Sequence, residues 1–100
     1  QQMKDILGRE IQIGDIILEA QTNYNWIMAG VVSKFTAKNV FYFWSTDTQD
    51  VNHIGERFCK PKYIIIISED DLLRMLEQDE FQNRYINFND VFEIKKRLKI

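Results

Sequence analysis

The segment Asn39–Thr46, NVFYFWST, constrains this chain more than any other. Val40, Phe41, Tyr42, Phe43 and Trp44 form an unbroken apolar and aromatic run, rich in strand formers and too short for a substantial helix. Alternation along a strand points Val40, Tyr42 and Trp44 one way and Phe41 and Phe43 the other, so both faces are apolar. One layer of protein seals one face only. The second face needs either another internal cover or a bound partner. Leaving a Phe-sized side chain in water forgoes about 1.5–3 kcal/mol, and two or three of them approach the roughly 5–15 kcal/mol that holds a small domain folded. Internal cover is therefore the expectation, supplied by the later apolar stripe Leu72, Leu73, Met75 and Leu76. In the competing reading the aromatic run is a platform for single-stranded nucleic acid, since each base stacked on a ring contributes about 1–3 kcal/mol.

The residues around this segment predict a mostly antiparallel α+β fold. Before Ser68 the chain is written in short β-type runs separated by turn residues. Ile11 and Ile13 predict a first short strand, Gly14-Asp15 a tight bend, and Ile16–Leu18 a second strand. Trp26–Phe35 alternates cleanly, and Gly30 within it predicts a bulge or sharp bend that helps a sheet curl. Thr36–Asn39 predicts a hairpin turn with Asn39 in a left-handed position. Residues 47–57 read as a long polar loop, and Tyr63–Ser68, YIIIIS, as a strand with the same two-faced character as VFYFW, expected beside it under the same helix. At Ser68 the style changes. Ser68 is a helix N-cap, and Glu69, Asp70 and Asp71 sit where the helix dipole favours anions. Further on, Val91, Ile94 and Leu98 fit helical spacing with Asn89 as cap, while Phe92, Ile94, Leu98 and Ile100 fit alternation; a helix is expected. Without repeats or a Pro/Gly/Ser linker, residues 1–100 read as one domain, 1–67 built of strands and 68–100 of helices.

Charge limits the partners. The net charge of −2 argues against a chain that coats nucleic acid by charge alone. Residues 1–68 hold seven basic and seven acidic side chains, residues 69–80 six acids and one Arg, and residues 81–100 five bases and two acids. The acidic helix and basic tail are expected to face water or partly neutralise one another. No run is long enough to span a membrane and the opening QQMKDILGRE has no signal-peptide pattern, so the expected place is the cytoplasm, away from membrane. A single cysteine, Cys59, fits a reducing compartment.

With these elements in place, LGREIQIGDIILEA followed by AGVVSKFTAKNVFYFW, over residues 6–46, resembles the opening of SH3-like small β-barrels, the KOW-type subset in particular. The resemblance implies a small barrel of about five strands with the C-terminal helices as cover. It also implies a binding module acting on nucleic acid or on transcription and translation machinery. KOW modules that grip RNA are basic and this chain is acidic, which turns the expectation toward a protein partner. The Ile- and Asn-rich usage is similar to that of small accessory proteins of T4-like bacteriophages.

Candidate contact residues follow from chemistry. Lys34 and Lys38 in SKFTAKN, and Arg57, Lys60 and Lys62 in RFCKPKY, interleave with aromatics and form a phosphate-contacting patch if they share one rim; at turns and strand edges, lysines also discourage aggregation. Tyr24, Trp26 and Trp44 carry polar atoms suited to a wet edge. For catalysis the candidates are Cys59 and His53, six residues apart, but a nucleophilic Cys needs a base and an orienting group, and a small core residue is the expected role. Asp47, Asp50, His53 and Glu56 recur every third residue without a thiolate cluster or calcium-loop spacing, and read as a polar loop. No catalytic residue, metal or cofactor is expected. The expected function is a non-catalytic protein-binding or regulatory module, with nucleic-acid binding through the basic rim as the alternative and a small cysteine enzyme as a remote third.

Overall fold

The structure is a computed structural model and describes residues 3–21, 26–45, 54–78 and 89–99, with the backbone alone at 21, 26, 45, 89 and 90. Five strands come first: β1 (Ile16–Gln21), β2 (Trp26–Phe35), β3 (Val40–Ser45), β4 (Ile54–Cys59) and, after a 3-10 turn over Pro61–Tyr63, β5 (Ile64–Ile66). Helices α1 (Glu69–Leu76) and α2 (Asn89–Leu98) follow. All strand pairs are antiparallel, in the order β4-β3-β2-β1-β5.

The α+β class and the five strands agree with the sequence reading, but the roster differs. Ile11 and Ile13 lie outside any strand; Ile11 is buried and Ile13 is exposed. The Gly14 bend is present, with φ of +93°. Residues 54–57, expected as loop, open β4 instead. Gly55, Glu56 and Arg57 disguise that strand, because glycine and charged residues are depleted in sheets. The proline ring seeds a 3-10 turn and shortens β5 to three residues. β5 also pairs with β1, so it is not the neighbour of β3 that was expected.

The run VFYFW is buried from two sides by different parts of the chain. Val40 and Tyr42 join Ile17, Val32, Cys59 and Ile64 in an inner cluster, completed by Met3 and Ile11. Phe43 packs with Ile16, Ala29 and Val31 in an outer cluster that Leu72, Val91 and Ile94 of the two helices close. The helices thus seal one face only. The sheet seals the other by curling. Cys59 and Ile64, from opposite edge strands, share the inner cluster, and Glu19 of β1 reaches Arg57 of β4 at 3.2 Å. In a flat sheet those strands, three positions apart, stand about 14 Å apart.

Two local devices permit the curl. A Cβ on Gly30 would lie 2.3 Å from Cδ2 of Tyr42 and 2.6 Å from the carbonyl oxygen of Phe43, so the Tyr42 ring occupies the space a side chain would fill. The bulge itself is at Ser33, where the β2–β3 register shifts between Val32 and Lys34. The extra residue sends Lys34 outward opposite Phe41 and Phe35 inward opposite Val40. In the turn that follows, Thr36 donates its amide to the Asn39 carbonyl (3.0 Å) and its Oγ1 accepts from the Asn39 amide (3.2 Å). Asn39 has no positive φ, in contrast to the left-handed position expected.

The free side of β5 is clasped by the N-terminal segment. Asp5, buried, accepts from the amides of Leu7 (3.0 Å) and Arg9 (2.9 Å) on Oδ1, and from the Ile66 amide (3.0 Å) and the Arg9 guanidinium on Oδ2. Ile6 adds a backbone bond to the Ile64 carbonyl (2.9 Å), and Arg9 donates to that of Ile66. After β5, the Ser68 Oγ accepts from the Asp71 amide at 3.0 Å, the predicted N-cap. Leu72 is buried and Met75 and Leu76 partly so, whereas Leu73, expected in the stripe, points outward. The expected helix over the tail is present with Val91 and Ile94 inward, and Lys95 lies 3.8 Å from Glu69 of the acidic helix.

Two measurements check this account. Gly30→Ala forces the Tyr42 ring or the β3 backbone aside and is expected to lower unfolding free energy by roughly 2–3 kcal/mol in urea melts. Burial works against the charge on Asp5, but the bonds from Ile66, Arg9 and Leu7 prevail and lower its pKa below the ordinary 3.8. Its contribution is therefore complete above that value and disappears as pH falls through the folded-state value. Asp5→Asn, which leaves the Ile66 amide without an acceptor, is expected to cost about 2–3 kcal/mol at neutral pH, with the gap to the parent protein narrowing as the pH falls below the ordinary carboxylate range.

Candidate functional site

The curled sheet encloses a polar cluster built on Glu19. Tyr42, fully buried, donates its hydroxyl to Glu19, and Arg57 donates Nε to the same carboxylate oxygen. Burial first, then the Glu19 carboxylate beside it, pushes the Tyr42 phenol far above its ordinary range, so it stays a donor. Burial alone would lower Arg57, but the hydrogen bond and charge of Glu19 reverse the direction and raise it. One carboxylate oxygen thus accepts from β3 and from β4 at once. It holds the curl together.

Cys59 sits beside that trio. Burial, reinforced by the negative Glu19, pushes its thiol up to about 12, the opposite of what an activated nucleophile needs. His53, Asp47 and Asp50 lie outside the described residues, and Glu56 stands on β4, bonded to Ser33 Oγ at 2.8 Å. Among the described residues no three His, Cys, Asp or Glu side chains gather in metal-binding geometry. A concavity of about 220 Å³ lies across the sheet from this chemistry, lined by apolar side chains including Ile6, Leu18, Ile27 and Tyr63. Among the described residues its lining offers no charged side chain and only the Tyr63 phenol as a polar one, where a bound small molecule needs several convergent polar groups.

The outer face at the far end of β3 and β4 is different. Phe41 and Phe58 are directly paired across the strands, their ring centroids 5.3 Å apart and tilted by 33°. Phe58 is 58 % exposed. Lys34 places its ammonium 4.7 Å from the centre of the Phe41 ring, a cation–π contact, and reaches Glu56 at 3.8 Å. Lys38 is exposed in the β2–β3 turn. Because Val40 pairs with Cys59, Lys60 leaves β4 at that same end, also exposed. An apolar centre with a charged fringe is the usual anatomy of a contact surface.

The eight residues read from the sequence are thus only partly gathered. Lys34, Lys38 and Lys60 share this end; Lys62 follows Lys60 in the 3-10 turn, its ammonium 5.1 Å from the Tyr63 ring centre. Arg57 does not join the rim, because strand alternation turns it to the inner face with Glu19. Trp44 is half-buried and packs against both clusters. The side chain of Trp26 and all of Tyr24 lie outside what is described. Phe58 and Glu56 were missed. The signal was present in ERFCK, where 56, 58 and 60 alternate with 57 and 59, but it required Glu56 and Arg57 to be accepted as strand residues.

A family model described as "Domain of unknown function (DUF7205)" matches residues 3–67. The chain belongs to that family. The matched span begins at the N-terminal clasp and ends one residue before the Ser68 cap, so it takes in the whole sheet and neither helix. No curated protein and no solved structure matches the chain.

The burial of Cys59 carries a prediction. At neutral pH a thiol-specific disulfide reagent is expected to modify the native protein at least about a hundredfold more slowly than the protein unfolded in urea. Equal rates in the two states, followed by absorbance, would show an open and activated thiol.

Proposed function

We propose that this chain is a non-catalytic protein-binding module. The scaffold is read as an SH3-like curled sheet, a reading supported by the strand order β4-β3-β2-β1-β5 and the 3-10 turn between β4 and β5. The contact surface is the outer face around Phe41 and Phe58. The observation that carries this is the exposure of Phe58 on an edge strand, ring against ring with Phe41. A large aromatic left in solvent costs stability and is a typical anchor of protein interfaces. Glu56 stands among the lysines, giving the surface mixed charge. Mixed charge suits a protein surface better than a phosphate chain, which repels a carboxylate.

The four lysines at 34, 38, 60 and 62 and the two rings support a second reading, single-stranded nucleic acid stacked on phenylalanine. Site-specific cross-linking separates them. With p-benzoylphenylalanine in place of Phe58, irradiation in the source cells is expected to give protein adducts, and the same group in place of Leu73 is expected to give few. Nucleic-acid adducts at position 58, with affinity for a labelled oligonucleotide that falls steeply with salt, would replace the first reading by the second.

A further inference from the structure

We infer that the partner of the Phe58 surface is an acidic segment of another protein, one that sets a large apolar side chain on the Phe41–Phe58 pair and carboxylates beside Lys38 and Lys60. The inference rests on the protein-binding reading above and adds the chemistry of the partner. Strand register fixes the layout. Lys34, Phe41 and Phe58 stand opposite one another on β2, β3 and β4 and form a single row across the outer face. On the helix side of that row, Phe43 pairs with Glu56 and packs into the cluster that the helices close. On the other side Val40 pairs with Cys59, and beyond that pair the chain runs on through Lys38 and Lys60 at the same end of the sheet.

The charges on the two sides of the row differ in what already answers them. Glu56 accepts from Ser33 Oγ at 2.8 Å and lies 3.8 Å from the Lys34 ammonium, which also sits over the Phe41 ring. That acid and that base are matched within the chain. The Lys62 ammonium lies over the Tyr63 ring. Lys38 and Lys60 are exposed, and among the described residues neither has a carboxylate partner. The unmatched charge at this surface is therefore positive, and it lies only on the side of the row away from the helices. Phe58, beside it, is the unmatched apolar group. A ligand that answers both needs an apolar side chain over the rings and negative groups to one side. An acidic peptide meets that pattern, because carboxylates flank an anchor at chosen positions and the anchor keeps water from the ion pairs beside it. A nucleic-acid strand carries a phosphate at every nucleotide, so bases stacked along the row bring phosphates toward Glu56 as well.

Display of random dodecapeptides against the immobilised full chain tests this. The retained peptides are expected to carry Asp or Glu next to a large apolar residue. Binding of a synthetic copy of the most enriched peptide, followed by fluorescence anisotropy, is expected to weaken about tenfold in Phe58→Ala and by about threefold or more in Lys38→Glu and in Lys60→Glu. Lys96→Glu, the same charge reversal on the exposed side of α2, is expected to leave it unchanged. All four positions are exposed, and circular dichroism checks that each variant is folded. Retained peptides that depend on Phe58 but show no acidic bias, or that Lys96→Glu weakens as much as Lys38→Glu and Lys60→Glu do, overturn the acidic partner and leave the protein-binding reading in place. So does a parent protein that dimerises in sedimentation equilibrium while Phe58→Ala stays monomeric, which would make a second copy the occupant. A library from which nothing is retained through Phe58 removes both readings, and binding of labelled oligothymidylate that Phe58→Ala abolishes would then give the surface to nucleic acid.

Discussion

The hydroxyl of Tyr42 is the point on which the architecture turns. A tyrosine with no solvent exposure must find an acceptor inside, and Glu19 is that acceptor; a buried carboxylate must in turn be paired, and Arg57 does so. β1 and β4 are separated by two strands, so this trio exists only if the sheet is strongly curled. The curl brings the Tyr42 ring onto the β2 backbone, and only glycine fits at position 30. One hydrogen bond thus ties together a strand order, a glycine and a charge pair.

The same constraint shapes the outside. A curled sheet must bend β2, and the Ser33 bulge provides the bend while reversing the alternation beyond it. Phe35 goes to the interior and Lys34 to the outer face. The helices cover the outer face near Val31 and Phe43, and Phe58 lies beyond their reach. Exposed Phe58, against half-buried Phe41 and beside the lysines, is therefore where the internal cover ends. The proposal of a protein ligand there rests on Glu56 standing among those lysines.

Several elements were legible from residue order alone. Alternation in Trp26–Phe35 and Val40–Ser45 gives β2 and β3, the Ser68 cap with three following acids gives α1, and the spacing of Val91 and Ile94 gives α2. The two-sided apolar character of VFYFW correctly demanded two covers, but the leucines supply only one. The other is the sheet itself, which cannot be read from periodicity because it depends on contacts between strands distant in sequence. β4 was hidden for a related reason. Its charged residues are stabilised by partners far along the chain, Arg57 by Glu19 and Glu56 by Ser33. The candidate surface suffered accordingly: the lysines were legible as a group, while Arg57, grouped with them on the condition of a shared rim, turns to Glu19, and Phe58 went unnoticed.

The most direct test of the whole account is the nuclear Overhauser pattern of the β3 rings in solution. Tyr42 ring protons are expected to show strong cross-peaks to the Gly30 α-protons and to methyl groups of the inner cluster, while Phe43 shows cross-peaks to the methyl groups of Val91, Ile94 or Leu72. Tyr42 cross-peaks to those helix methyl groups, without contact to Gly30, would mean that the sheet is flat and that helices alone close the core, which contradicts the account.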